Sequence, residues 1–91
     1  MSIIISIDEI KTFERLKTIA QIAPLKERIR SFERKYGCKF EDFREKIYRE
    51  DEPERFEEWD DFIEWRAYIE SLQDLESLMR RIDNAKDAKI A

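Results

Sequence analysis

The scarcity of turn-forming residues limits what this chain can fold into. Its 91 residues include one glycine and two prolines, and most of the remainder are good helix formers. Because an all-β fold needs many tight turns, the sequence predicts an all-α protein instead. A chain of this length holds one small domain, residues 1–91, and not two independent ones.

The composition excludes several kinds of chemistry. There is no histidine, and Cys38 is the single cysteine, so imidazole bases, an intrachain disulfide and a thiolate zinc site are all absent. We therefore expect a protein that is not an enzyme and has no catalytic residue, metal or cofactor. The longest apolar run, residues 3–5, is far shorter than a membrane span of about 20 residues, so we expect no membrane partner and a cytoplasmic location. The few side-chain amides are typical of a thermophile.

Residues 1–48 are predicted to form two or three short helices. The β-branched run 3–5 leaves open a short N-terminal strand. Apolar residues then recur every three positions and predict an amphipathic helix over residues 7–23. Because proline disrupts a helix interior but suits a first turn, we expect a break at Pro24 and a second helix over residues 25–36.

Gly37 is the natural end of the second helix, because glycine readily adopts the positive φ of a helix stop. A third helix is expected over residues 40–48, with three apolar side chains facing inward: Phe40, Phe43 and Ile47. The segment around Pro53 is predicted to be a turn that starts the next helix.

No glycine or proline follows Pro53 as far as residue 84, so residues 53–84 are predicted to form one long C-terminal helix of about 45 Å. Part of this helix alternates spacings of three and four between apolar residues, as a coiled coil does. This predicted dimer seam consists of Trp65, Tyr68, Leu72, Leu75, Met79 and Ile82. The fold class we predict is therefore all-α with a long C-terminal helix, either dimeric or bound to a partner.

The segment 56–65 mixes four large aromatic side chains with carboxylates. On a helix these aromatics form two stripes about 60–100° apart, which is too broad for one packing face. Exposed aromatics bordered by charge are typical of protein-binding sites. The predicted partner-binding residues are Phe56, Glu57, Glu58, Trp59, Asp60, Asp61, Phe62 and Trp65. The alternative is that both stripes are core, one packing on the N-terminal helices and the other on a second copy.

Charge is unevenly distributed along the chain. Residues 1–40 carry nine Lys or Arg against five Asp or Glu, whereas residues 41–91 carry nine against seventeen. The basic half leaves open a contact with DNA. Carboxylates at helical spacing in the acidic half could hold Mg²⁺, but the chain offers one such array and no glycine-rich phosphate loop, so we expect no metal.

Two segments have a recognisable order of residues. The first reads Lys-Tyr-Gly, two residues, then Phe-Glu-Asp-Phe, and the second is an acidic segment with two tryptophans. Their positions are Lys35, Tyr36, Gly37, Phe40, Glu41, Asp42, Phe43, Glu58, Trp59, Asp60, Asp61, Glu64 and Trp65. Over about residues 25–76 the chain resembles small archaeal and bacterial antitoxins of type II toxin–antitoxin pairs. It departs from them at Lys39, where a helix-capping serine is usual, and at Pro24, where they remain helical.

The resemblance implies an antitoxin that neutralises a cognate toxin, often a ribonuclease, with its acidic helical half. The toxin would be basic, and the antitoxin would itself be a homo-oligomer. The alternative expectation is a homodimeric coiled-coil structural protein that has no toxin partner.

Overall fold

The computed structural model describes residues 7–49 and 56–88, which form three α-helices. These are α1 (Ile7–Tyr36), α2 (Phe40–Arg49) and α3 (Phe56–Ala88). The prediction of an all-α protein with a long C-terminal helix is confirmed, and within these ranges there is no strand. The N-terminal strand and the turn around Pro53 lie outside the described residues.

Pro24 does not divide the first helix, so the expected break there is wrong. α1 continues through Pro24 for 30 residues. The proline removes the N–H that would donate to the carbonyl of Ala20, but both residues are exposed and water can reach that carbonyl. Packing against α3 along both sides of this point then holds the helix together, because tertiary contacts outweigh local propensity.

The end of α1 follows the prediction for Gly37. Gly37 has a φ of 66°, and its N–H donates to the carbonyl of Glu33 at 2.8 Å. This bond satisfies one of the carbonyls that a helix end leaves without a donor. Two residues later the chain enters α2, whose first turn is closed by the N–H of Phe43 donating to the carbonyl of Lys39 at 3.1 Å.

α1 and α3 lie side by side in opposite directions, as a long helical hairpin. Side-chain bonds join them near both ends and in the middle. They are Lys35 to Asp61 at 2.6 Å, Arg28 to Tyr68 at 2.9 Å and Lys11 to the carbonyl of Asp83 at 3.0 Å. The end of α1 therefore lies beside the start of α3, and the start of α1 lies beside the end of α3. The resulting molecule is a rod with extents of 64 × 26 × 18 Å.

The buried core lies at one end of this rod, where α2 packs on the hairpin. It consists of Phe40, Phe43, Ile47, Phe62 and Trp65. The indole of Trp65 is fully buried, with its ring centre 5.4 Å from those of Phe32, Phe40 and Phe43. The inward orientation predicted for the apolar residues of α2 is thus confirmed.

The predicted dimer seam of α3 faces α1 of the same chain. Trp65 stacks on Phe32, and the Tyr68 hydroxyl accepts a bond from Arg28. The seam residues further along are half-buried on the same side of α3: Leu72, Leu75, Met79 and Ile82. The seam is therefore an intramolecular surface in this structure, because a 30-residue α1 is long enough to cover it.

Candidate functional site

The two aromatic stripes of the first turns of α3 have different surroundings. Phe62 and Trp65 point inward and are 1% and 0% exposed, whereas Trp59 is 40% exposed and Ile63 is 44% exposed. Successive residues of a helix point about 100° apart around its axis. α3 packs on α1 and α2 with part of its circumference, so the side chains on the rest of it face solvent. Phe62 and Trp65 are therefore core residues here, and their predicted role in binding a partner is corrected.

The exposed stripe continues onto α2 and forms a compact surface, which we call the α2–α3 patch: Tyr48, Trp59 and Ile63. Tyr48 is 64% exposed. The rings of Trp59 and Tyr48 both pack on the buried ring of Phe62, with centres 5.5 Å and 5.8 Å away. Because Trp59 and Tyr48 already pack on Phe62, their rings lose little rotational freedom when a partner covers them. The patch is therefore preorganised for binding.

Two of the predicted partner-binding carboxylates are used within the chain. Lys35 donates to Glu57 at 2.7 Å and to Asp61 at 2.6 Å, and the hydroxyl of Tyr36 also donates to Asp61. These bonds raise the pKa of Lys35 above its usual range. Burial, with the bond to Asp61 second, raises the pKa of Tyr36 to about 12. The cluster links the end of α1 to the start of α3.

Two of the remaining carboxylates, Glu58 and Asp60, flank Trp59 in α3 and border the α2–α3 patch. Asp60 is exposed and Glu58 is half-buried, and neither forms an ion pair within the described residues. Glu64 is exposed and accepts a bond from the Tyr68 hydroxyl at 2.6 Å, on the side of α3 near Arg28 of α1. On the other flank the guanidinium of Arg66 lies 5.4 Å from the ring centre of Phe62. The border is therefore acidic on one side.

The predicted partner-binding residues include Trp59 and Asp60 but leave out Tyr48 and Ile63. Ile63 lies four residues after Trp59, on the same stripe, and the spacing alone placed it there. Tyr48 lies about 100° around α2 from the buried Ile47, and the packing of its ring on Phe62 is what places it in the patch. The side chain of Phe56 is outside what the structure describes, although the residue begins α3.

Neither a metal site nor a membrane-spanning helix is found in the described part of the chain. No group of three or more acidic or cysteine side chains within residues 7–49 and 56–84 is placed to hold a metal ion. Cys38, half-buried after α1, is a free thiol packed against the core. A search of the described helices finds none with the length and apolar character of a membrane span.

The described residues thus form three helices built on an antiparallel hairpin, with an apolar patch of fixed geometry and carboxylates beside it. The chain belongs to the Uncharacterized protein MJ0235 family, whose family model matches residues 1–87. No curated protein and no solved structure matches it.

Proposed function

We propose that this chain is an antitoxin-like binding protein, which neutralises a basic toxin, a ribonuclease, through the acidic, aromatic start of α3. The observation that carries the proposal is the α2–α3 patch: two exposed rings anchored on buried Phe62, with carboxylates beside them. Exposed aromatics of this kind, fixed in position and ringed by charge, are typical anchors of protein interfaces. The proposed place of action is the cytoplasm.

The patch and its border contribute to binding in different ways. Burying Trp59 or Tyr48 in a partner pocket stabilises a complex by about 2 kcal/mol or more per ring at a hot spot. Asp60 and Glu58 increase the rate of encounter with a basic surface and disfavour acidic partners. On a ribonuclease they would occupy positions that bind RNA phosphates, since both are anionic oxygen ligands for Lys and Arg.

The segments that resemble antitoxins support the proposal by their structural roles. Tyr36 bonds to Asp61, Gly37 ends α1, and Phe43 packs against Trp65. Together they fix α2 against α3 and so set the distance between Tyr48 and Trp59. The residues that carry the resemblance are thus those that build and support the patch.

Copurification tests this proposal. The product of the neighbouring open reading frame is coexpressed with the tagged chain, and the affinity of the complex is measured by titration calorimetry. Because both side chains are exposed, Trp59→Ala and Ile63→Ala should keep the helical circular dichroism yet weaken binding at least tenfold, or about 1.4 kcal/mol. Affinity within twofold of wild type for both variants would refute the patch as the toxin-binding surface.

A charge-reversal pair isolates the acidic border. Asp60→Lys should slow association, whereas the matched variant Asp74→Lys, on an exposed position several turns further along α3, should leave it unchanged. Equal effects of both variants would show general electrostatics instead of a local border. A coiled-coil dimer through the α3 seam is the weaker alternative, because that seam already packs on α1.

A further inference from the structure

The N-terminal half of α1 is apolar on the side that faces away from α3. Phe13 and Leu16 are 65% and 62% exposed, and Ile10 and Ile19 are about half exposed. The side toward α3 is occupied by other residues, among them the fully buried Thr18. A helix normally has its apolar side covered by another element, and here the apolar side is the exposed one. We call this surface the outer α1 face: Ile10, Phe13, Leu16, Ile19, Ala20 and Ala23.

We propose that the outer α1 face joins two copies of this chain through an antiparallel pair of α1 helices. Phe13, Leu16, Ala20 and Ala23 follow one another at spacings of three, four and three, which is the pattern of a coiled-coil contact line. With a two-fold axis near residue 18, Phe13 of each copy meets Ala23 of the other and Leu16 meets Ala20. Large side chains thus pack on small ones, as interdigitation requires.

The flanking residues fit the same arrangement. Ile10 comes beside Pro24 of the second copy, and the two Ile19 side chains meet near the two-fold axis. A parallel pair would place Phe13 against Phe13 and Ala20 against Ala20, which crowds one layer and leaves a gap in another. Every large exposed apolar residue between 10 and 19 finds an apolar neighbour in the antiparallel pair.

Charges at the two ends of the face are complementary. The first turn of α1 contains Asp8 and Glu9, whereas residues 26–30 carry three basic side chains and one acidic one, Glu27. Hydrogen bonds from Arg34 and then Arg30 lower the pKa of Glu27, so its charge is already compensated within the chain. In the antiparallel pair Asp8 of one α1 comes level with Arg28 of the other, whereas Glu9 comes level with Glu27, whose charge Arg34 and Arg30 already compensate.

The surface area of the chain is large enough to supply such an interface. It exposes 7355 Å², whereas a compact monomer of 11.2 kDa exposes about 5,700 Å². A standard interface takes about 800 Å² from each partner, roughly a ninth of this surface. Near Phe13 the face also has an open hollow of about 370 Å³, which the second copy would fill.

Sedimentation velocity of the full chain tests the proposal. Wild type should sediment with twice the chain mass, and Leu16→Glu and Ala20→Glu should reduce it to one chain mass. Both residues are exposed, so the helical circular dichroism should not change. Ile63→Glu, on the α2–α3 patch, is the matched control and should remain dimeric. A monomeric wild type, or a dimer that survives both substitutions on α1, would overturn the proposal.

Disulfide trapping tests the direction of the pair without disturbing the fold. In a Cys38→Ser background, Ile19→Cys should form a disulfide-linked dimer under mild oxidation with oxidised glutathione. Phe13→Cys should not, because its two copies would lie about 15 Å apart along the helices. Linkage through position 13 in place of position 19 would overturn the antiparallel arrangement. Toxin binding through the α2–α3 patch is measured separately, so either proposal can fail alone.

Discussion

Removing the indole of Trp65 should have a much larger effect on stability than removing that of Trp59. Trp65 is 0% exposed and its ring lies 5.4 Å from three other aromatic rings. A buried Trp→Ala change costs about 3–5 kcal/mol, and the three ring contacts place Trp65 near the upper value. Trp59 is 40% exposed, so Trp59→Ala should cost less than about 1 kcal/mol.

These magnitudes are large relative to the whole fold. A chain of this length unfolds with a free energy of about 5–14 kcal/mol, so a loss of about 3–5 kcal/mol in Trp65→Ala removes between roughly a fifth and all of it. Urea titration followed by far-ultraviolet circular dichroism gives both free energies, measured at one protein concentration because dimerisation would add stability. A loss of less than about 2 kcal/mol in Trp65→Ala, or equal losses in the two variants, would refute the assignment of the core.

Trp65→Phe separates packing from hydrogen bonding at the same position. The indole N–H of Trp65 is buried and has no hydrogen-bond acceptor among the described residues. A buried donor of this kind costs about 1–3 kcal/mol, and phenylalanine removes it while keeping a ring in the cluster. We therefore expect Trp65→Phe to lose less than half of what Trp65→Ala loses. Equal losses would mean that the N–H is not a liability.

Two further predictions concern the end of α1. Because the pKa of Tyr36 is raised to about 12 from 10.0, the neutral phenol contributes stability that is fully present below pH 10 and is lost as pH rises toward 12. The pKa of Lys35 is also raised, so its deprotonation lowers stability over the same pH range. Tyr36→Phe should therefore reduce the fall of the urea midpoint between about pH 10 and 12 without abolishing it. A fall as steep as that of wild type would contradict the role given to Tyr36. Gly37→Ala should lower the free energy of unfolding by about 1–2 kcal/mol. The cost comes from the positive φ alone, because an added Cβ meets nothing within 4 Å. A urea midpoint equal to that of wild type would refute this reasoning.

Local signals predicted much of the fold correctly. Gly37 ends α1, the inward residues of α2 are those at helical spacing, and α3 is long, as the lack of glycine and proline indicated. These features depend on residues within a few positions of each other. Pro24 was the exception, because its effect depends on whether α3 lies alongside to hold both halves of α1 together.

The candidate site was predicted only in part, for a related reason. Sequence spacing showed that the aromatics of α3 form two stripes, but it could not say which stripe faces α1 and α2. Antiparallel packing placed Trp65 inside and Trp59 outside. Likewise a heptad seam does not reveal whether its partner is another chain or an earlier helix of the same one, and here it is α1.

The concentration of the core at one end of the rod has a consequence for how the molecule opens. Five of its apolar side chains are buried where α2 meets the hairpin, whereas toward the opposite tip Thr18 is the buried residue among those described. Amide protons of the first three turns of α1 should therefore exchange with deuterium much faster than those near Phe32, because local opening there breaks few contacts. Part of the outer α1 face lies on that tip, so pairing of two copies would stabilise a stretch of helix that has few buried contacts within the single chain.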